Sequence, residues 1–206
     1  QSNLLAFPTD YAVTPRQGIM VRTTHKKRLN DALDAYQAGL AAEGDRQAFA
    51  LLYKRWHPRL MRLALRLTRN AADAQDVMQD TALTLARDIR KLRDPSRFGG
   101  WACTIVRRRA ADHIDRAVRQ RTREEESLNL DMGDADADGA ISLKQALDRL
   151  PEMDRLMLKF FYLDGFRGRE IAAALGLPLG TVKSRLHAAR RALKTIYTEG
   201  DDHDGL

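Results

Sequence analysis

At 206 residues the chain has room for one large domain or two small ones. Lys and Arg number 35 against 28 Asp and Glu, a net charge of +7 with 44% hydrophobic residues; this is a globular composition whose basic balance favours a polyanionic partner. The single cysteine, Cys103, excludes an internal disulfide framework and a cysteine-cluster zinc site, and with no apolar run near the ~18 residues of a membrane span and no secretory leader pattern, the expected compartment is the cytoplasm, without membrane insertion.

In chain order, Gln1-Ser2-Asn3 reads as a remnant of cloning, and 1–25 as an extension without periodicity that is expected to be disordered. From Lys26, Leu29, Leu33, Tyr36 and Leu40 recur at helical spacing, and Gly44-Asp45 ends the pattern. Phe49, Leu52, Tyr53, Trp56, Leu60, Leu63 and Leu67 predict a strongly amphipathic second helix, interrupted at most near Pro58. Asn70 is a good N-cap for a third, with Ala74, Met78, Thr81, Leu85, Ile89 and Leu92 on its apolar face. Asp94-Pro95-Ser96 stops it, and Phe98-Gly99-Gly100 completes a loop. A fourth helix, from about Trp101 to Arg119, is expected to bury Cys103, Val106, Ala110, Ile114 and Ala117.

The composition then shifts. Residues 104–123 hold seven Arg against two Asp, whereas 124–140 hold seven acids, two Gly and no base. That acidic segment is expected to be a flexible linker between two domains, over 26–123 and 141–198, followed by an acidic tail over 199–206. Short helices are expected at Ile141 to Leu150, Glu152 to Leu163, Arg167 to Leu175 and Pro178 to about Tyr197. Nothing reads as a strand, so the fold class is all-α, two small helical domains.

Three constellations bear on function. The stretch from Gly168 to Leu186 reads as helix, tight turn, helix: Ala172 is small where the helices cross, Gly176 supplies the turn, and Val182 and Leu186 anchor the second helix. That helix carries Lys183, Arg185, Arg190, Arg191 and Lys194, with no acid among residues 181–194, as suits a helix in the major groove of DNA. On the fourth helix, Trp101, Ile105, Arg108, Asp112 and Arg119 fall opposite the expected buried face. An aromatic with arginines suits single-stranded nucleic acid, and the loop from Pro95 to Gly100 suits an unstacked base; packing of Trp101 on a neighbouring helix explains it equally well. On the third helix, Asp73, Asp76 and Asp80 with Gln79 form an acidic patch, suited to a basic protein partner or to solvation with Asp73 on the helix dipole. His25, His57, His113, His187 and His203 show no ligand spacing, and phosphate loops and nucleophile elbows are lacking, so no enzyme, metal or cofactor is expected.

Together these pieces resemble the bacterial extracytoplasmic-function sigma factors, small alternative sigma subunits of RNA polymerase. The resemblance rests on Ala48-Phe49 through Tyr53, Pro58-Arg59-Leu60, Asp73 through Asp80, Phe98 to Asp112, Leu147 through Pro151, Tyr162 through Phe166 and Gly180 through Arg185. It implies an alternative sigma factor with a region 2 domain and a region 4 domain. Asp73, Asp76, Gln79 and Asp80 would dock on the β′ clamp helices of core RNA polymerase, whose β subunit is a further partner. Arg97, Phe98, Trp101, Ile105, Arg108, Arg109, Asp112, Arg116 and Arg119 would hold the single strand of the −10 promoter element. Thr181, Lys183, Ser184, Arg185, His187, Arg190 and Arg191 would meet the −35 duplex, with Lys183, Ser184 and His187 as base readers and Arg185 and Arg190 on phosphates. The resemblance also implies an anti-sigma partner and, in a free chain with packed domains, masking of the DNA contacts. Arg108, Ala188 and Asp80 depart from common family residues.

Two further readings stay open on residues alone. One is a polymerase-independent helix-turn-helix regulator of duplex operators, which needs no acidic docking face. The other is an adaptor whose basic surface meets an acidic protein, which predicts no salt-dependent DNA binding.

Overall fold

The computed structural model describes the backbone of residues 17–121 and 143–201 and the side chains of 28–117 and 145–197. Over those residues the chain is helical, with no strand. The expected linker over 124–140, most of the extension, the end of the acidic tail and the side chain of Arg119 lie outside the described residues.

Four helices make the first bundle: α1 (Gln17–Glu43), α2 (Arg46–Thr68), α3 (Ala71–Asp88) and α4 (Phe98–Arg121). α2 packs against the other three. Its start is set by Asp45, whose carboxylate accepts from the amides of Gln47 (2.8 Å) and Ala48 (3.0 Å). Pro58 removes one donor from its interior, yet the helix continues through it. Asn70 caps α3 as expected, accepting from Ala72 (2.8 Å) and Asp73 (3.1 Å) amides. Leu52, Trp56, Leu60 and Leu63 of α2 meet Ala74, Val77, Met78 and Leu85 of α3 in the core, as the 3.6-residue pattern requires.

α1 departs from expectation. It begins at Gln17, earlier than Lys26, and its stripe Leu29, Leu33 and Tyr36 is exposed. The packed side instead carries the small residues Ala38 and Ala41, which let the helices approach closely, and Asp34 and Gln37, which both engage Arg55 of α2. Small residues and ion pairs fix this face, so hydrophobic periodicity pointed to the opposite one.

α4 departs as well. Ala102, Cys103, Val106 and Ala110 are buried, but Ile114 is 41% exposed. His113 pairs with Asp73 near the start of α3, so by Ile114 the helix has run to the end of its neighbour. Ile105, expected on the outer face, is only 8% exposed. Arg109 donates to Thr84 Oγ1 and Arg116 approaches Asp80, which places α3 along this side of α4.

The second unit comprises α5 (Leu143–Asp148), α6 (Glu152–Leu158), a π-helical segment (Lys159–Leu163), α7 (Gly168–Leu175) and α8 (Leu179–Asp201). Gly176, at φ +69°, makes the turn between α7 and α8, and Val182, Leu186 and Ala189 seat α8 in the core. α7 also packs extensively against α4, so one buried cluster runs through both units.

Phe98 belongs to that cluster, 1% exposed with its ring edge-on to Trp56 at 5.8 Å. We therefore expect Phe98→Ala to lower unfolding free energy by about 3–5 kcal/mol. Urea denaturation followed by circular dichroism measures this; a change within about 0.5 kcal/mol, the size usual for a surface site, contradicts the buried placement.

Candidate nucleic-acid and polymerase interfaces

The loop between α3 and α4 is built by one carboxylate. Asp94 accepts from the Ser96 amide (3.0 Å), the Ser96 hydroxyl (2.7 Å) and Arg97 Nε (2.9 Å). These bonds wind Pro95–Arg97 into a single 3-10 turn and hold the Asp94 carboxyl below the ordinary aspartate value, Ser96 being the largest cause. Gly99 follows against Trp56. A Cβ there would overlap the indole, lying 2.8 Å from Cζ2, so only glycine allows this approach. In the sequence Asp94 reads as a helix stop and Trp56 as part of a core stripe; the Asp-x-Ser spacing is the signal for the turn.

The expected strand-holding residues divide. Arg97 and Arg108 are exposed, as is Asp112, and Trp101 is half-buried with its ring edge-on to Phe98 at 6.0 Å. Arg109 and Arg116 turn toward α3, the first onto Thr84 (2.9 Å) and the second toward Asp80 (3.8 Å). Phe98 and Ile105 are corrected: both are buried, one under Trp56 and the other on the side facing α3, and neither presents a surface. The outward strip of α4 is therefore Trp101, Arg108 and Asp112, the last reached by Arg109 (3.7 Å), with Arg97, paired to Asp94, at its head.

On α3, Asp76 and Gln79 point to solvent. Asp73 and Asp80 are half-buried and engaged by α4, through His113 Nε2 (3.0 Å) and Arg116. Leu83, 65% exposed, lies seven residues beyond Asp76 and so on the same face. A reading of charge alone passes over this exposed leucine, although its i, i+7 spacing is visible in the sequence.

On α8, Lys183, Ser184, His187 and Arg191 form an outward row opposite buried Val182, Leu186 and Ala189, with Thr181 half-buried at its start. The Ser184 hydroxyl donates back to the Thr181 carbonyl (3.0 Å). Arg185 reaches toward Asp154 (3.7 Å). Arg190 is corrected as an outward group, because its guanidinium stacks on Phe161 (5.3 Å) and Tyr162 (6.0 Å). Cys103 is a core group, its thiol pushed well above the ordinary value by burial.

The lowered Asp94 value has a pH signature. A carboxylate held low in the fold adds stability above its unfolded value, and that stability is lost as pH falls through the folded value. Amide exchange at Ser96 and Arg97 should therefore stay protected through the ordinary aspartate range and open only below it. Asp94→Ala should abolish that protection at neutral pH, whereas exchange unaltered by the substitution would show that Asp94 does not hold the turn.

With these surfaces in place, comparison with known proteins identifies the pieces. The Sigma-70 region 2 model matches residues 52–120, and the Sigma-70, region 4 model matches residues 140–193. The extracytoplasmic-function sigma factor SigM of Mycobacterium tuberculosis is 33% identical over 165 residues, covering 79% of this chain and 84% of that protein. The sigma factor RpoE of Cereibacter sphaeroides is 32% identical over 162 residues, covering 73% and 86%. Among solved structures, CnrH in complex with the cytosolic domain of CnrY superposes with a TM-score of 0.51 at 25% identity, over 80% of this chain and 96% of that one. Both sigma regions in one chain, and about a third of residues shared with such factors along most of their length, place the chain in the extracytoplasmic-function sigma factor family.

Proposed function

We propose that the chain is a promoter-specificity subunit that joins core RNA polymerase and directs transcription initiation. The observation that carries this reading is the presence, on one bundle, of the acidic face of α3 and the strip Trp101, Arg108 and Asp112 on α4, beside a separate duplex-reading helix. An operator-binding regulator uses only the last. Asp76 and Gln79, with Leu83 as an apolar anchor, dock on a basic surface of the polymerase, the β′ clamp helices; Asp73 and Asp80 support that face from the α4 side.

The turn Pro95–Arg97 takes the separated −10 strand; Phe98-Gly99-Gly100, expected as loop, forms the first turn of α4 instead. Trp101 offers a ring for stacking, and Arg97 and Arg108 hold phosphates. Lys183, Ser184 and His187 read base edges of the −35 duplex, while Arg185 and Arg191 position the helix on its backbone. The chain supplies specificity and the polymerase makes the RNA. CnrH is solved with the cytosolic domain of CnrY, and an anti-sigma protein is by likeness a further partner here. The cytoplasm follows from this role; among the described residues no helix is long and apolar enough to cross a membrane.

The test is co-purification with bacterial core RNA polymerase followed by run-off transcription on a promoter library. We expect binding and a discrete promoter class. Asp76→Lys should weaken polymerase binding about tenfold or more, since like charges then face each other, while binding to an isolated −35 duplex is retained. Failure of the unsubstituted chain to bind polymerase, or full binding by Asp76→Lys, would overturn the docking reading.

A further inference from the structure

Among the described glycines, Gly180 alone has no part to play inside the fold. Gly44, Gly165 and Gly176 take positive φ, a conformation that side chains rarely adopt. At Gly39, Gly99, Gly100 and Gly168 an added Cβ would meet another part of the chain within 4 Å. At Gly180 it would meet nothing within that distance, and φ there is not positive. The residue is exposed and is the second of α8, in a class of structure that disfavours glycine. A methyl group would fit, and it would restrict the unfolded chain, so the fold by itself favours alanine here.

The place of this glycine on the helix is specific. Lys183, Ser184, His187 and Arg191 follow it at i+3, i+4, i+7 and i+11, so Gly180 heads the exposed row. Buried Val182, Leu186 and Ala189 lie on the opposite side of the helix. Leu179, the residue before, lies against Gly168 of α7 and leaves the approach to Gly180 open. The row thus begins with a bare patch of helix backbone, one turn ahead of its first polar side chains.

Length decides what that patch meets. At ~1.5 Å per residue, Gly180 and Arg191 stand roughly 16 Å apart along the axis. The major groove is only ~12 Å wide. A row that crosses it has base edges under its middle, where Lys183, Ser184 and His187 stand, and a sugar–phosphate wall under each end. Arg191 meets one wall with a charge. Gly180 offers the other wall no side chain, so the helix backbone itself makes the contact. A Cβ would hold the helix off by about 1.5 Å, the length of a carbon–carbon bond, and hydrogen bonds from the row to the bases do not stretch that far.

We infer that Gly180 is the point of closest approach between the chain and duplex DNA. It is kept free of a side chain so that the start of α8 seats directly on a sugar–phosphate wall of the major groove and brings Lys183, Ser184 and His187 within reach of the bases. The inference rests on the proposed function, which gives α8 a duplex to read, and it adds a contact made by shape and not by charge.

The test measures thermal unfolding and duplex binding on the full chain, on Gly180→Ala and on Gly180→Leu, with fluorescence anisotropy on a degenerate duplex oligonucleotide pool. Both replacements are better helix formers, so the melting temperature should hold or rise. Duplex affinity should nevertheless fall about tenfold for alanine and further for leucine. Ala192→Leu adds a similar bulk at an exposed position of α8 outside the row, and it should bind the pool as the unsubstituted chain does. Stability and affinity then move in opposite directions, which a glycine required by the fold cannot produce. A lower melting temperature in Gly180→Ala would return this glycine to the fold and overturn the inference. Undiminished binding by Gly180→Ala, or an equal loss in Ala192→Leu, would overturn it as well. If the unsubstituted chain binds no duplex, the reading of α8 under the proposed function falls and takes the inference with it; duplex binding that survives Gly180→Ala defeats the inference alone.

Discussion

Gly99 leaves the space that Trp56 fills. Its missing Cβ lets α4 start directly over the indole, with Phe98 edge-on beneath it and Trp101 edge-on to Phe98 above. This ladder of rings is continuous from the centre of α2 to the surface of α4. It fixes where the loop sits, decides that Phe98 is structural and Trp101 available, and leaves Glu170 an opening to enter. A methyl group at Gly99 would force the indole out of the core, and the loop, the strip on α4 and the seat of α7 would all shift with it.

Around that ladder, apolar and charged contacts divide the work. Within the first bundle, α2, α3 and α4 are joined by interdigitated aliphatic and aromatic side chains, which hold irrespective of salt. Between the two units the apolar cluster is continuous, and guanidinium groups on carboxylates and carbonyl oxygens border it, with Asp164 as the buried anion.

Most of this fold could be read from the chain before its structure. α2 and α3 follow their apolar periodicity from cap to cap, and the helix-turn-helix follows from Gly176, Val182 and Leu186, because in these elements burial is aliphatic and the signal is the burial itself. α1 was legible as a helix but not in its orientation, since alanines and the Asp34–Arg55 pair seat it and hydrophobicity is blind to both. On α4 the outward face was read too wide: α3 claims Ile105, and α7 claims the side bearing Gly99 and Gly100. That second contact is tertiary and leaves no period in the sequence. Arg190 was read as a phosphate contact because charge was counted without its aromatic neighbours. The α2 row Arg59, Arg62, Arg66 and Arg69 stands in plain view at helical spacing, but each residue alone resembles a solvated charge, and only the position of Asp164, met by Arg62 and Arg66, gives the row a purpose.

A small sigma factor must also distinguish among the nucleic acids that its charge attracts. A net charge of +7 attracts any polyanion, duplex or single-stranded, and cannot by itself discriminate between them. Discrimination must come from shape. Glu170 sets a carboxylate beside Gly99 and Trp56, and Arg169 donates to the Ser96 carbonyl, so α7 contributes to the surface around the start of α4. The row on α8 stands apart from that surface and is exposed along Lys183, Ser184, His187 and Arg191. Charge that attracts polyanions and the surfaces that select among them are thus carried by different elements of the fold.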